Sequence, residues 1–177
     1  MEHKQLLTVF NSLPVGIGFF TADGTLVRCN ESFCRIFGAD SQTLLGNKLN
    51  INENSVVPDV VKEAVRRCVP VQMSFLYDFD KQRTDKRFFS TRTRTCYLKC
   101  NGNPLYDNDG KFVNYIFIFE DITETVKSEE VLRQSRRKTE LAMKAANIMF
   151  WEFDAVAKLF YSDNEPLNGY DQSKPVS

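Results

Sequence analysis

Histidine and tryptophan are almost missing from this chain of 177 residues, which has one of each. His3, in what reads as an N-terminal tail, is too remote to build a Ser-His or Cys-His pair, and no phosphoacceptor histidine sits within a helix. The same shortage disfavours a haem with a histidine axial ligand and most metal sites. No ATP-binding glycine motif occurs. The five cysteines, Cys29, Cys34, Cys68, Cys96 and Cys100, are an odd count with no CxxC. Cys96 and Cys100 read as one strand, where four residues span about 13 Å, beyond the ~7 Å that a bridge tolerates. Reduced, buried thiols are expected, as in a cytosolic protein. Charge of one sign is also lacking: 23 basic residues balance 23 acidic ones, which argues against nucleic-acid binding and against a polybasic membrane surface. The cluster Arg133-Gln134-Ser135-Arg136-Arg137-Lys138 is flanked by Glu129, Glu130 and Glu140 and reads as a solvated helix face. No apolar run approaches ~18 residues and the N-terminus has no apolar leader, so a soluble, cytoplasmic chain without membrane insertion is expected.

Aromatic residues are plentiful, with 15 phenylalanines and 6 tyrosines, and predict a core of phenyl rings. Gln5 to Leu13 places Leu6, Leu7, Phe10 and Leu13 on one helical face before Pro14. Gly16 to Thr21 and Thr25 to Cys29 read as a hairpin around Ala22-Asp23-Gly24. Asn30 is a plausible N-cap for a helix over 31–37, and Gly38 is well placed to end it. Ser41 to Leu45 makes a short helix ended by Gly46, and Pro58 opens a longer one through Cys68, stopped by Pro70. Three strands follow: Val71 to Phe79 alternating, about Phe88 to Gly102 after a charged loop Asp80 to Lys86, and Phe112 to Glu120 after the turn Tyr106 to Gly110. Antiparallel hairpins with the helices grouped between them predict an α+β fold with a five-stranded antiparallel sheet. The carboxylate pairs Asp78 with Asp80 and Asp107 with Asp109 fall at strand ends and turns and read as turn chemistry rather than an acid–base site.

Beyond Asp121 the pattern changes. Glu124 to Asn147 has no Gly or Pro and is rich in Glu, Lys, Arg, Leu and Ala. Leu132, Ser135, Thr139, Ala142, Ala146 and Met149 follow a 3-4 spacing, a weak seam that predicts a linker helix paired in a homodimer, because such a helix is marginal alone.

With these elements placed, the sequence resembles the PAS family over residues ~5 to 125. Phe20-Thr21-Ala22-Asp23-Gly24, Asn30-Glu31-Ser32-Phe33 and Phe37-Gly38 look like the family's first half. Asn103-Pro104-Leu105, Asp107-Asn108-Asp109-Gly110 and Glu120-Asp121-Ile122-Thr123 look like its second, with Thr21 a departure where many members have Asp. A second, partial resemblance, from Ala145 to Asp154 and then Tyr161 to Asp171, looks like the opening of another such domain. The implied organisation is a flanking helix over 1–14, a PAS domain over 15–123, a linker helix over 124–147 and a truncated second domain over 148–177, expected to be loosely held. Tandem domains joined by such helices resemble the sensory end of bacterial histidine kinases in two-component phosphorelays, so a downstream kinase or other output domain is the expected partner.

Both alternations of the last strand are apolar. The resemblance puts Tyr115, Phe117 and Phe119 inward and leaves Ile116 and Ile118 for the flanking helix, with Leu98 and Cys100 inward on the strand before. Together with Phe19, Phe33, Phe37, Phe75 and Tyr77 these are the candidate cavity residues. Rings of this size should fill the space of a large cofactor, so neither haem nor flavin is expected. The flavin photoreceptors' reactive cysteine motif is also absent, Cys34 lying on the earlier helix. Asp121, Ile122 and Thr123 form the expected signal exit, capping the linker's first turn. Two functions are implied: a relay and dimerisation module without an active site, or a receptor for a small apolar ligand.

Overall fold

The computed structural model describes residues 2–82, 90–146, 151–154, 156, 159–162 and 165–166. It is an α+β fold. Helix α1 (Glu2–Ser12) precedes the hairpin β1 (Gly16–Phe20) and β2 (Leu26–Cys29). Three helices follow, α2 (Glu31–Phe37), α3 (Ser41–Gly46) and α4 (Asp59–Arg67). Then come β3 (Val71–Asp78), the short α5 (Phe79–Gln82), β4 (Thr95–Tyr106), β5 (Phe112–Asp121) and the long α6 (Thr123–Ala145). The five strands form one antiparallel sheet in the order β2-β1-β5-β4-β3.

Local chemistry explains the helix boundaries. The Asn30 side chain accepts from the Phe33 amide, and Gly38 closes α2 at φ 63, a left-handed conformation that glycine enters without penalty. Asp40 caps α3 in the same way, accepting from the Thr43 amide at 2.7 Å. Helix α4 ends one residue before Cys68, which itself turns left-handed at φ 52, so this cysteine and not Pro70 stops the helix. The segment after β3 was expected to be loop from Asp80, but Asp78 accepts from the amides of Asp80 and Lys81 at 3.0 Å each and nucleates α5. Asp107 accepts from Asp109 and Lys111 across the β4–β5 turn. Both carboxylate pairs are therefore turn-formers, as their positions predict.

Three boundaries differ from expectation. His3 lies in α1 rather than in a tail. The expected start of the second long strand near Phe88 lies outside the described residues, and β4 begins at Thr95. That strand also runs past Gly102 to Tyr106. Its last four residues pair only with β5, beyond the end of β3, so the missing N–H of Pro104 interrupts no β3–β4 bond.

The core lies between the sheet and helices α2 to α4. Phe20, Tyr77, Leu98, Tyr115, Phe117 and Phe119 supply its strand side, and Phe33, Ile36, Phe37, Leu44, Val61 and Val65 its helix side. On the sheet's other face Phe10 of α1 lays its ring 6.1 Å from Phe19. The alternation of β1 explains this. Register pairs Phe20 with Tyr115 and Gly18 with Phe117, so Gly18 and Phe20 share the core face and Phe19 faces away.

The chain divides into two compact units, Met1–Val126 and Lys127–Ser177. In the second, β6 (Trp151–Asp154), β7 (Leu159–Ser162) and β8 (Glu165–Pro166) pair antiparallel in a three-stranded sheet. Met149 of the expected seam lies outside the described residues.

Candidate functional site

Tyr115, Phe117 and Phe119 stack along β5 at 4.8 and 5.6 Å between centroids. Phe20 meets Phe117 edge-on at 5.5 Å, and Phe33 and Phe37 meet Phe119 edge-on at 5.7 and 5.2 Å. The stack depends on Gly102 opposite Phe117, because a Cβ there would lie 2.4 Å from the ring. Among the described residues a void of about 20 Å³ lies among Phe20, Phe33, Phe37, Phe75, Tyr77 and Phe119 and the segment Leu49–Val61. That is the space of about one water molecule.

The ten candidate cavity residues thus separate into three groups. Phe33, Phe37, Phe75, Tyr77 and Phe119 line the void. Leu98, Cys100, Tyr115 and Phe117 are fully buried in the same core but do not border it. Phe19 is a correction: it sits on the opposite sheet face, and Phe20 takes the place expected of it. Leu49, Asn50, Ile51, Asn54 and Val57 also line the void and were not anticipated. They come from a segment that has no periodicity and is held to the β1–β2 hairpin by the bridge Thr25 to Asn50 and by the side chains of Asn50 and Asn52, which donate to the Asp23 carbonyl.

Polar atoms at the rim are satisfied internally. Asn54 donates to the Tyr77 hydroxyl at 3.1 Å and accepts from the Val56 amide at 3.0 Å. The Tyr115 hydroxyl donates to the Val69 carbonyl, and burial pushes this phenol up to about 12. Burial likewise pushes Cys96 and Cys100 up to about 11 each, so both are neutral thiols, poor as nucleophiles or metal ligands. Among the described residues no group of three His, Cys, Asp or Glu side chains is placed to hold a metal ion.

The second feature is the end of β5. Asp121 accepts from the Thr123 amide and hydroxyl through one oxygen, at 3.1 and 2.5 Å, and pairs with Arg92 through the other at 2.9 Å. The Thr123 hydroxyl accepts from the Tyr97 amide at 2.9 Å, and the Ile122 amide donates to the Tyr97 carbonyl at the same distance. Asp121 therefore binds the first amide and the first hydroxyl of α6, and Thr123 ties the start of α6 to β4. Burial alone would raise the Asp121 carboxyl, but the Thr123 hydroxyl and amide and the Arg92 guanidinium outweigh it and hold it below its ordinary value. Arg92 was not anticipated. Its guanidinium also donates to the Ile36 carbonyl at the end of α2, at 3.0 Å, and lies over the Phe79 ring at 5.2 Å. Next to it, Ser90 and Thr91 bind the carbonyls of Phe37 and Gly38. One segment therefore grips both the ring-bearing helix and the exit.

Residues 10–127 match the family model described as the PAS fold. The chain belongs to the PAS fold family. A curated relative, the probable diguanylate cyclase DgcE of Escherichia coli strain K12, is 20% identical over 157 residues. That match covers 89% of this chain but only 14% of the relative's length. Among solved structures, an RNA-binding light-oxygen-voltage receptor superposes with a TM-score of 0.58 at 18% identity, over 76% of this chain and 37% of that one. The PAS domain of a two-component sensor histidine kinase superposes with a TM-score of 0.50 at 14% identity, over 68% and 96%. At such identities the solved structures bear on the fold alone. Among the described residues no helix of this PAS protein is long and apolar enough to cross a membrane.

Proposed function

We propose that this PAS domain is a relay and dimerisation module of a signalling protein, with no active site of its own, and that its core acts on a downstream output domain through α6. The observation that carries the reading is the Arg92–Asp121–Thr123 cluster, which joins the end of α2, strand β4 and the first residue of α6 in one hydrogen-bonded group. A shift of the ring-bearing α2 would be felt at the exit through Arg92. The filled interior supports a relay over a receptor, since a void near 20 Å³ falls far below the roughly 300 Å³ of a useful ligand pocket. We further propose a sensor histidine kinase as the parent protein, on the likeness to a PAS domain from such an enzyme. The cyclase named for the curated relative is the competing output.

The double variant Asp121→Ala with Thr123→Ala tests the coupling. Loss of a cap-like group costs about 1–2 kcal/mol, so amides at the start of α6 should exchange faster while the near-ultraviolet signal of the core is kept. Collapse of the core signal together with α6 would overturn the coupling role. A thermal-shift screen against small metabolites tests the filled core, because a ligand at 100 times its Kd adds ~2.7 kcal/mol. A clear stabilisation would favour the receptor reading instead.

A further inference from the structure

Two thiols meet where β2 turns into α2. Asn30 is the N-cap, so Cys29 occupies the position before the cap and Cys34 the fourth helical position. These are the positions at which an apolar pair commonly packs to fix the angle at which the chain enters a helix. Here both members are cysteines, half-buried, with their sulfurs 3.8 Å apart. No other thiols among the described residues are in sulfur contact: Cys68 lies at the end of α4, and Cys96 and Cys100 lie in β4.

We propose that Cys29 and Cys34 are an oxidation site that closes to a disulfide when a hydroperoxide reaches the domain, covalently locking the chain's turn into α2. The sulfurs need to approach by under about 2 Å to reach bonding distance, a shift within the range of small side-chain rotations. Either S–H can donate across this contact, so either sulfur can attack first, here taken as Cys34. Its thiolate displaces hydroxide from the peroxide O–O bond, giving a sulfenic acid on Cys34, and the hydroxide takes up a proton as water. The Cys29 sulfur then attacks the Cys34 sulfur, its proton leaving with the displaced hydroxide as a second water. Two thiols and one hydrogen peroxide become one disulfide and two waters. Burial keeps both thiols protonated at neutral pH, Cys29 pushed up to about 12, so closure is slow and calls for sustained oxidant.

The place of the bridge gives it a consequence. The residues it encloses hold the connection from α1 to β1. Asn30 donates to the carbonyls of Phe10 and Val15 and accepts from Ile17, and the Ser32 hydroxyl binds the Leu13 carbonyl. Locking this short loop stiffens the seat of α1 whatever output domain follows.

Trypsin cuts after Arg28 and Arg35, so both cysteines fall on one peptide, residues 29–35. The folded full chain is treated with hydrogen peroxide, alkylated and digested. The expected product is peptide 29–35 lighter by two hydrogens and unalkylated, restored by dithiothreitol, and formed about tenfold faster than any loss of the Cys96 and Cys100 thiols. In Cys29→Ser the sulfenic acid on Cys34 should accumulate and be trapped by dimedone. Hydrogen exchange of α1 should slow in the oxidised chain and be unaffected by peroxide in Cys29→Ser. Recovery of Cys29 and Cys34 in alkylated form, over-oxidation without loss of two hydrogens, or bridges to other cysteines would overturn the proposal.

Discussion

Gly102 and Asp121 show how much single positions decide here. Gly102 faces Phe117, and an added Cβ would lie 2.4 Å from that ring and 2.7 Å from Tyr115. Both rings are fully buried in a stack, and the small void borders Phe119 and neither of them. Gly102→Ala should cost 1–3 kcal/mol, roughly the cost of overpacking, read as a lower urea midpoint at unchanged slope; an unchanged midpoint would mean that the rings are looser than described. For Asp121 the direction of the pKa shift gives the sign. Its carboxyl is held below the ordinary 3.8, so it stabilises the fold fully above the ordinary carboxylate range, and that contribution is lost as pH falls through the lower folded value. Stability curves of the natural chain and Asp121→Asn should therefore differ at pH 6 and begin to converge as pH falls below about 4. A gap that persists into acid would remove charge pairing with Arg92 as the cause.

At the scale of elements, what was legible in the sequence was local. Helix α2 was readable from end to end because Asn30 and Gly38 carry the chemistry of its two ends within one short segment. The exit residues Asp121 and Thr123 were readable for the same reason, each bonding to the other two positions away. What failed was non-local. Phe19 and Phe20 cannot be told apart within β1, since only pairing to β5 decides which ring faces the helices. Asn54 reaches the void from a segment with no periodic signal, and it is Tyr77, 23 residues on, that gives its amide a partner. Arg92 is the sharpest case: its carboxylate lies 29 residues ahead and its carbonyl 56 behind, and in the sequence it is one arginine in a charged stretch. The prediction at this scale concerns that residue. Arg92→Ala removes a hydrogen bond to α2, an ion pair to the exit and a ring contact to α5. Amides at the end of α2 and at Thr123 should both exchange faster, by up to about tenfold per 1.4 kcal/mol lost, while those of β1 stay protected. Loosening at only one of the two ends would show that Arg92 braces that end without joining them.

For the whole molecule, the open matter is what covers α6. The helix has 23 residues and none is buried; Val131, Leu132 and Leu141 remain more than half exposed. A helix of this length, about 34 Å, draws little stability from its own sequence, and the ion pair of Glu130 with Arg133 at 2.9 Å is exposed, screened by solvent and adds little. The seam through Leu132, Ser135, Thr139, Ala142 and Ala146 offers small residues for close approach of a second helix, with Leu132 as its one large side chain. Dimers are therefore expected in sedimentation at micromolar concentration. Placing a like charge pair in the seam with Leu132→Glu should weaken association by about tenfold or more, ~1.4 kcal/mol, and shift the weight-average mass toward the monomer. Because Leu132 makes no core contact, the melting of the PAS domain itself should stay unchanged. A natural chain that sediments as a monomer would rule out pairing through α6, and a Leu132→Glu dimer of undiminished affinity would move self-association to another surface.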